Sequence, residues 1–170
     1  RRVTTGAVLI AAASAFLFCT GFTKASDHGN HENGYLKSAT YYSDDWVINF
    51  WNSESSHMDE ELKQIREDGF NSIILVVPWR EFQPSMAPEH YNDYAWEKFD
   101  RVMKAAKAQD LKVMLRVGYT WDYYSSENVL ARYEKLLYDS ETKKAWLHYA
   151  KRLYEKASAY DNFSGGFITW

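Results

Sequence analysis

Residues 58–84, MDEELKQIREDGFNSIILVVPWREFQP, constrain this chain more than any other stretch. Met58, Leu62 and Ile65 fall at i, i+4 and i+7, while Glu60, Glu61, Lys63, Arg66 and Glu67 fill the other positions, so an amphipathic helix is expected. Ser56, three residues before Asp59, has capping-box spacing and is expected to start it. Gly69 ends it, because glycine alone enters the left-handed region without a steric cost. The run from Ser72 to Val77 is apolar after its first residue and β-branched, as a strand buried on both faces requires. Trp79, Arg80 and Glu81 then open a loop. An apolar strand ending in aromatic and charged side chains is how parallel α/β folds build sites at the carboxyl ends of their strands.

The unit recurs. Residues 46–50 (WVINF) read as the first strand, with Trp51 and Asn52 at its carboxyl end, and Asp44 and Asp45 precede it on the opposite side of the sheet. Residues 94–109 place Trp96, Phe99, Met103 and Ala106 on one helical stripe, and residues 111–117 form the third strand, followed by Tyr119, Trp121, Asp122 and Tyr123. A small helix over 128–138 and a longer one over 142–159, with Trp146, Ala150, Leu153 and Ala157 inward, lead to a fourth strand beginning at Gly166. Strands alternating with helices imply a parallel sheet with right-handed crossovers. No glycine-rich phosphate loop follows the first strand, so a closed barrel is preferred over an open dinucleotide-binding sheet. The expected fold class is α/β: (β/α) repeats forming the first half of a TIM (β/α)8 barrel, truncated in strand 4.

A formal charge of −3, spread evenly, argues against an electrostatic nucleic-acid binder. Thirteen tyrosines and seven tryptophans leave two readings open, an aromatic-heavy core or a sugar-binding cleft whose rings stack on pyranose faces. Arg1 and Arg2, the apolar run 8–18 and the small residues around Ala25 have the form of an export signal over residues 1–25. The uncharged stretch 6–22 is alternatively a short membrane anchor, the one route to a membrane. With Cys19 the single cysteine, the exported part is expected to lack disulfides. Residues 26–40 read as a flexible linker and 41–170 as the barrel part. His28 and His31 lie in that linker, and no His, Cys or acidic cluster has ligand spacing, so neither metal nor other cofactor is expected. Asn162-Phe163-Ser164 is a glycosylation sequon.

Residues 60–84 resemble the helix 1 to strand 2 region of the clan of retaining glycoside hydrolases with a (β/α)8 barrel, which includes cellulase-like and β-galactosidase-like families. The shared elements are Gly69-x-Asn71, the apolar strand, and a loop of the form Trp79-x-x-x-x-Pro84. Residues 111–119 (LKVMLRVGY) resemble the clan's third strand and residues 165–170 (GGFITW) its fourth. Two positions depart from it: Ile74 stands where many members carry arginine, and Tyr119 where many carry histidine. Arg116 supplies a cation from a neighbouring position.

The resemblance implies a catalytic pair of carboxyl groups about 5–5.5 Å apart, at the ends of strands 4 and 7. Both are expected beyond Trp170, so no catalytic residue is assigned here, and the polypeptide is expected to be an inactive fragment of a longer exported enzyme acting on poly- or oligosaccharides. The alternatives are a non-catalytic carbohydrate-binding barrel whose downstream carboxylates are lost, membrane-tethered if residues 6–22 stay, and a different exported barrel enzyme such as a metal-free lyase. The candidate carbohydrate contacts are Trp51, Asn52, Trp79, Arg80, Glu81, Arg116, Tyr119, Trp121, Asp122 and Tyr123, all expected just beyond strand ends. Trp96 and Trp146 belong to helix stripes and are expected in the core.

Overall fold

The computed structural model describes residues 35–118, 120 and 132–168. The export segment, most of the linker, and Tyr119, Trp121, Asp122 and Tyr123 lie outside the described residues. Four strands form one sheet in the order β1 (Ser38–Thr40), β2 (Ser72–Val76), β5 (Lys112–Arg116) and β6 (Phe163–Phe167), and every neighbouring pair is parallel. A two-stranded antiparallel hairpin, β3 (Ser85–Met86) and β4 (Glu89–His90), projects from the connection after β2. Helices α1 (Met58–Glu67), α3 (Asp93–Ala108) and α5 (Ser140–Ala157) make the crossovers; the one-turn α2 (Trp79–Phe82) and α4 (Arg132–Tyr138) lie between them.

The first strand is not residues 46–50. That run is a turn leading into a 3-10 helix at Asn49–Asn52, and its apolar residues Val47, Ile48, Phe50 and Trp51 are buried by wrapping rather than by pairing. The strand is Ser38-Ala39-Thr40, inside the expected linker, so the barrel part starts before residue 41. At the sheet edge it needs little beyond backbone hydrogen bonds, with Asn71 N donating to Lys37 O (3.1 Å) and Tyr41 N donating to Ile74 O (3.0 Å). Small polar side chains suffice there, which left it without an apolar signature. Strand β6 likewise begins at Phe163, ahead of the expected Gly166.

Side chains alternate across a strand, and the two faces differ. Ile73, Leu75, Val113 and Leu115 are fully buried against the helices. On the opposite face Ser72 and Val76 are buried, but Ile74, Lys112, Met114 and Arg116 are half-exposed. The strands are therefore not covered on both faces, as expected from the apolar run; this second face is the one a closed barrel turns inward. The helix side forms the core, with Leu62 from α1, Phe99, Val102 and Met103 from α3, and Tyr149, Leu153 and Ala157 from α5.

Helix caps follow local chemistry. Asn92 caps α3 by accepting from Ala95 N, and Asp139 caps α5 by accepting from Thr142 N. Ser56 does not cap α1. The chain enters that helix at His57 without a side-chain cap, and Asp59, Glu60 and Glu61 in the first turn complement the helix dipole instead. Gly69 has φ +80°, the left-handed stop expected of it. The α3 stripe of Trp96, Phe99, Met103 and Ala106 is buried, whereas α5 centres on Tyr149 and leaves Trp146 and Ala150 half-buried at its flank.

Candidate functional site

The carboxyl end of the sheet carries a cleft of about 290 Å³ lined by Thr40, Tyr42, Trp46, Val47, Val76 and Arg116. Thr40, Val76 and Arg116 are the last residues of β1, β2 and β5, so three successive strand ends converge on it. Tyr42 and Trp46 come from the turn after β1, and Trp46 is 60% exposed.

Part-buried polar contacts hold that turn in shape. Tyr41 and Ser43, on either side of Tyr42, both donate to the Glu61 carboxylate of α1 at 2.7 Å. Ser43 takes φ 56°, and Tyr42 is left outside. Burial and the Glu61 carboxylate push the Tyr41 hydroxyl far above its ordinary pKa, so it stays a proton donor. Further along, Lys98 of α3 is fully buried, donates to Phe50 O and to Ser53 O (2.8 Å), and sets its ammonium 3.9 Å from the Phe50 ring centre. Those carbonyls close the 3-10 helix, where a cation is favoured. Burial pushes the Lys98 pKa down to about 8. Phe50 N donates to Trp46 O at 2.9 Å, and Val47 and Ile48 pack on Val76. The backbone of Trp46 is thus fixed while its ring faces solvent.

The structure relocates several expected contacts. Trp51 and Trp79 are 0% exposed. Trp51 donates its Nε1–H to Val76 O (2.9 Å) and packs on Phe50, Phe82 and Phe99. Trp79 donates to Gln83 Oε1 (2.6 Å) and lies between the Tyr149 ring and the Arg132 guanidinium. Neither indole offers an open face, so as stacking platforms they are corrected to core side chains. Asn52 is exposed but engaged, donating to Glu81 Oε2 and accepting from Asn92 Nδ2 at 2.9 Å. Glu81 is 7% exposed; burial pushes its carboxyl up, against the opposing pull of the Asn52 amide and of Arg80 and Arg132. It ties α2 to the 3-10 helix. Arg80 is half-buried on α2. Among the described residues, Arg116 is the expected contact that lines the cleft. Asp44 and Asp45 follow β1 rather than precede the first strand, and Asp45 accepts from Ser53 Oγ.

A wider hollow of about 590 Å³ lies between the hairpin and the α4–α5 elbow, lined in part by Gln83, Glu89, Lys144 and His148. Its Glu89 Oε1 accepts from Tyr91 OH (2.8 Å), His148 Nδ1 (2.9 Å) and Gln83 Nε2 (3.2 Å), and the Tyr91 hydroxyl, followed by His148, holds the carboxyl below its usual range. That carboxylate braces the hairpin against α5. Arg132 fastens the same region by donating to Gln83 O and Pro84 O, both at 2.6 Å. At the sequon, Asn162 is 5% exposed and spends its amide on Met103 O and Leu111 O, which removes it as an acceptor for glycan in the folded chain. Among the described residues, no group of three His, Cys, Asp or Glu side chains is placed to hold a metal. No helix among them is long and apolar enough to cross a membrane.

The sequence matches no family model and no curated protein. Solved structures do match the fold. A GH5_18 protein from Bifidobacterium longum subsp. longum, solved with Manb1-4GlcNAc, superposes with a TM-score of 0.64 at 20% identity, over 79% of this chain and 33% of that one. The fold is the first part of a (β/α)8 barrel. The exo-beta-1,4-mannosidase Op5Man5 of an Opitutaceae bacterium gives 0.61 at 18% identity, over 76% and 23% of the two chains. Cel5A of Thermotoga maritima, solved with a cellobiose substrate, gives 0.53 at 15% identity, over 79% and 42%. The chain therefore spans about a third of the length of the GH5_18 protein it is similar to. In this barrel fold, ligands bind at the carboxyl ends of the strands, which is where the 290 Å³ cleft lies.

The aromatic members of the cleft, Tyr42 and Trp46, are not legible in the sequence, because the apolar run 46–50 reads as a strand that takes in Trp46 itself. The available signal is the aromatic pair Tyr41-Tyr42 directly after Ser38-Ala39-Thr40.

Proposed function

We propose that this chain is the N-terminal half of a (β/α)8 glycoside hydrolase that cleaves glycosidic bonds in an oligo- or polysaccharide. The observation that carries the reading is the cleft at three successive strand ends, with an exposed indole, a tyrosine, a threonine and a guanidinium around it. The neighbours in fold, solved with saccharides, support the same class of ligand. The catalytic carboxyl pair is supplied from beyond residue 170. One member protonates the leaving oxygen, the other attacks the anomeric carbon, and water then releases the glycosyl group with retention. Thr40 and Arg116 hydrogen-bond substrate hydroxyls. The proposal includes export, supported by Arg1, Arg2 and the apolar run that follows.

The test is to express the whole reading frame and assay it on β-linked manno- and cello-oligosaccharides, separating products by chromatography. Turnover is expected from the whole protein, and its loss when either strand-end glutamate of the remaining part becomes glutamine. Saccharide binding without turnover in the intact protein makes it a non-catalytic carbohydrate-binding barrel, and no binding at all removes the reading.

A further inference from the structure

An indole left in water beside a hollow is a costly arrangement. Trp46 stays 60% exposed, while Val47 and Ile48 beside it are 8% and 4% exposed. Its orientation is not slack. The backbone is pinned through Phe50 N on one side, and the preceding turn is pinned by Tyr41 and Ser43 on Glu61. Tyr42, 37% exposed, stands on the same cleft. Two presented aromatic rings, an apolar floor at Val76, and hydroxyl and guanidinium groups at the strand ends give a ligand both a flat surface and directional partners.

At about 290 Å³ the cleft lies just below the roughly 300–1,000 Å³ range of small-molecule sites. That suits one sugar ring with its linkage rather than a long chain. A hexopyranose with mostly equatorial substituents presents axial C–H groups on at least one face, and these lie flat on an aromatic ring. Hydroxyls at its rim then reach polar groups in the ring's own plane.

We propose that Trp46, flanked by Tyr42, is the stacking wall for one neutral β-linked hexopyranose unit in this cleft, with Thr40 and Arg116 binding its rim hydroxyls. This deepens the glycoside hydrolase reading and rests on it for the class of ligand. Trp46 replaces Trp51 and Trp79 as the aromatic contact.

The experiment uses the whole protein, comparing Trp46→Ala, Trp46→Phe and Tyr42→Ala with the parent. Mannobiose, cellobiose and their longer homologues serve as probes, with affinity read by calorimetry and the thermal midpoint read alongside. Trp46→Ala is expected to weaken saccharide binding at least tenfold with an unchanged midpoint, and Trp46→Phe to retain much of the affinity. Unchanged affinity in Trp46→Ala overturns the proposal, and so does a fall in midpoint matching the fall in affinity, since Trp46 would then be packing against the rest of the barrel. The two readings fail separately. Turnover with a KM indifferent to Trp46 removes the wall and keeps the hydrolase; Trp46-dependent binding without turnover keeps the wall and removes the hydrolase.

Discussion

Lys98 shows at the scale of one residue how the cleft's shape is held from behind. Its ammonium satisfies two carbonyls that close the 3-10 helix, and burial, outweighing the pull of Asp45, Glu54 and Glu61, depresses its pKa to about 8 from an ordinary value of 10.5. Between those two values the unfolded chain holds a proton that the folded chain has released. Stability from this group therefore rises with pH across that window, and the penalty of burying the charge is fully present below pH 8. Lys98→Met should be destabilised at pH 7 by about 1–3 kcal/mol for each carbonyl left without a donor. Its deficit relative to the parent should then widen as pH climbs from 8 toward 10.5. Urea titrations at pH 7, 9 and 10 measure this, and a deficit that stays constant with pH would contradict the buried ammonium. Glu81 is the acidic counterpart, a carboxyl raised by burial that bridges α2 to the 3-10 helix rather than facing ligand. In the sequence Glu81 reads as a candidate carbohydrate contact, while Lys98 falls among the polar positions of α3 with nothing to set it apart. What distinguishes it is the pair of carbonyls delivered by residues 45 and 48 positions away in the chain.

Among the elements, β2, α3 and β5 were legible because each carries its own periodic signal, and the buried stripe of α3 matched residue for residue. The two outer strands were not. β1 is three small residues held by backbone bonds, and β6 (FSGGF) contains two glycines that no strand propensity favours. The second glycine has a steric reason to be there. A Cβ on Gly166 would come within 2.8 Å of Leu115 O and 2.5 Å of Tyr154 OH. The hydroxyl can swing away, but the backbone oxygen of β5 cannot. Gly166→Ala is expected to push β6 off β5, costing about 1–3 kcal/mol as overpacking does. Hydrogen exchange should report faster amide exchange in β6 while β2 and β5 stay protected. Equal protection in parent and variant would mean the strand absorbs the methyl group.

For the whole molecule, the half-exposed face formed by Ile74, Met114 and their neighbours bears most on solubility. Residues 35–170 prepared alone present that face together with the free edges of β1 and β6, a template for association. They should bind a hydrophobic dye and show a concentration-dependent sedimentation coefficient, both of which should vanish in the longer protein. A monomeric, dye-silent preparation would contradict this. At this scale the sequence by itself determined the α/β class, the parallel order and the direction in which the strands point. Those follow from local periodicity and from the handedness of crossovers, which neighbouring residues carry among themselves. Only the tertiary structure decided which aromatics face water. Trp46, Trp51 and Trp79 are chemically the same side chain near a strand end, and their fates differ because Phe82, Phe99 and Tyr149 arrive from distant elements to cover two of them and leave the third beside the cleft.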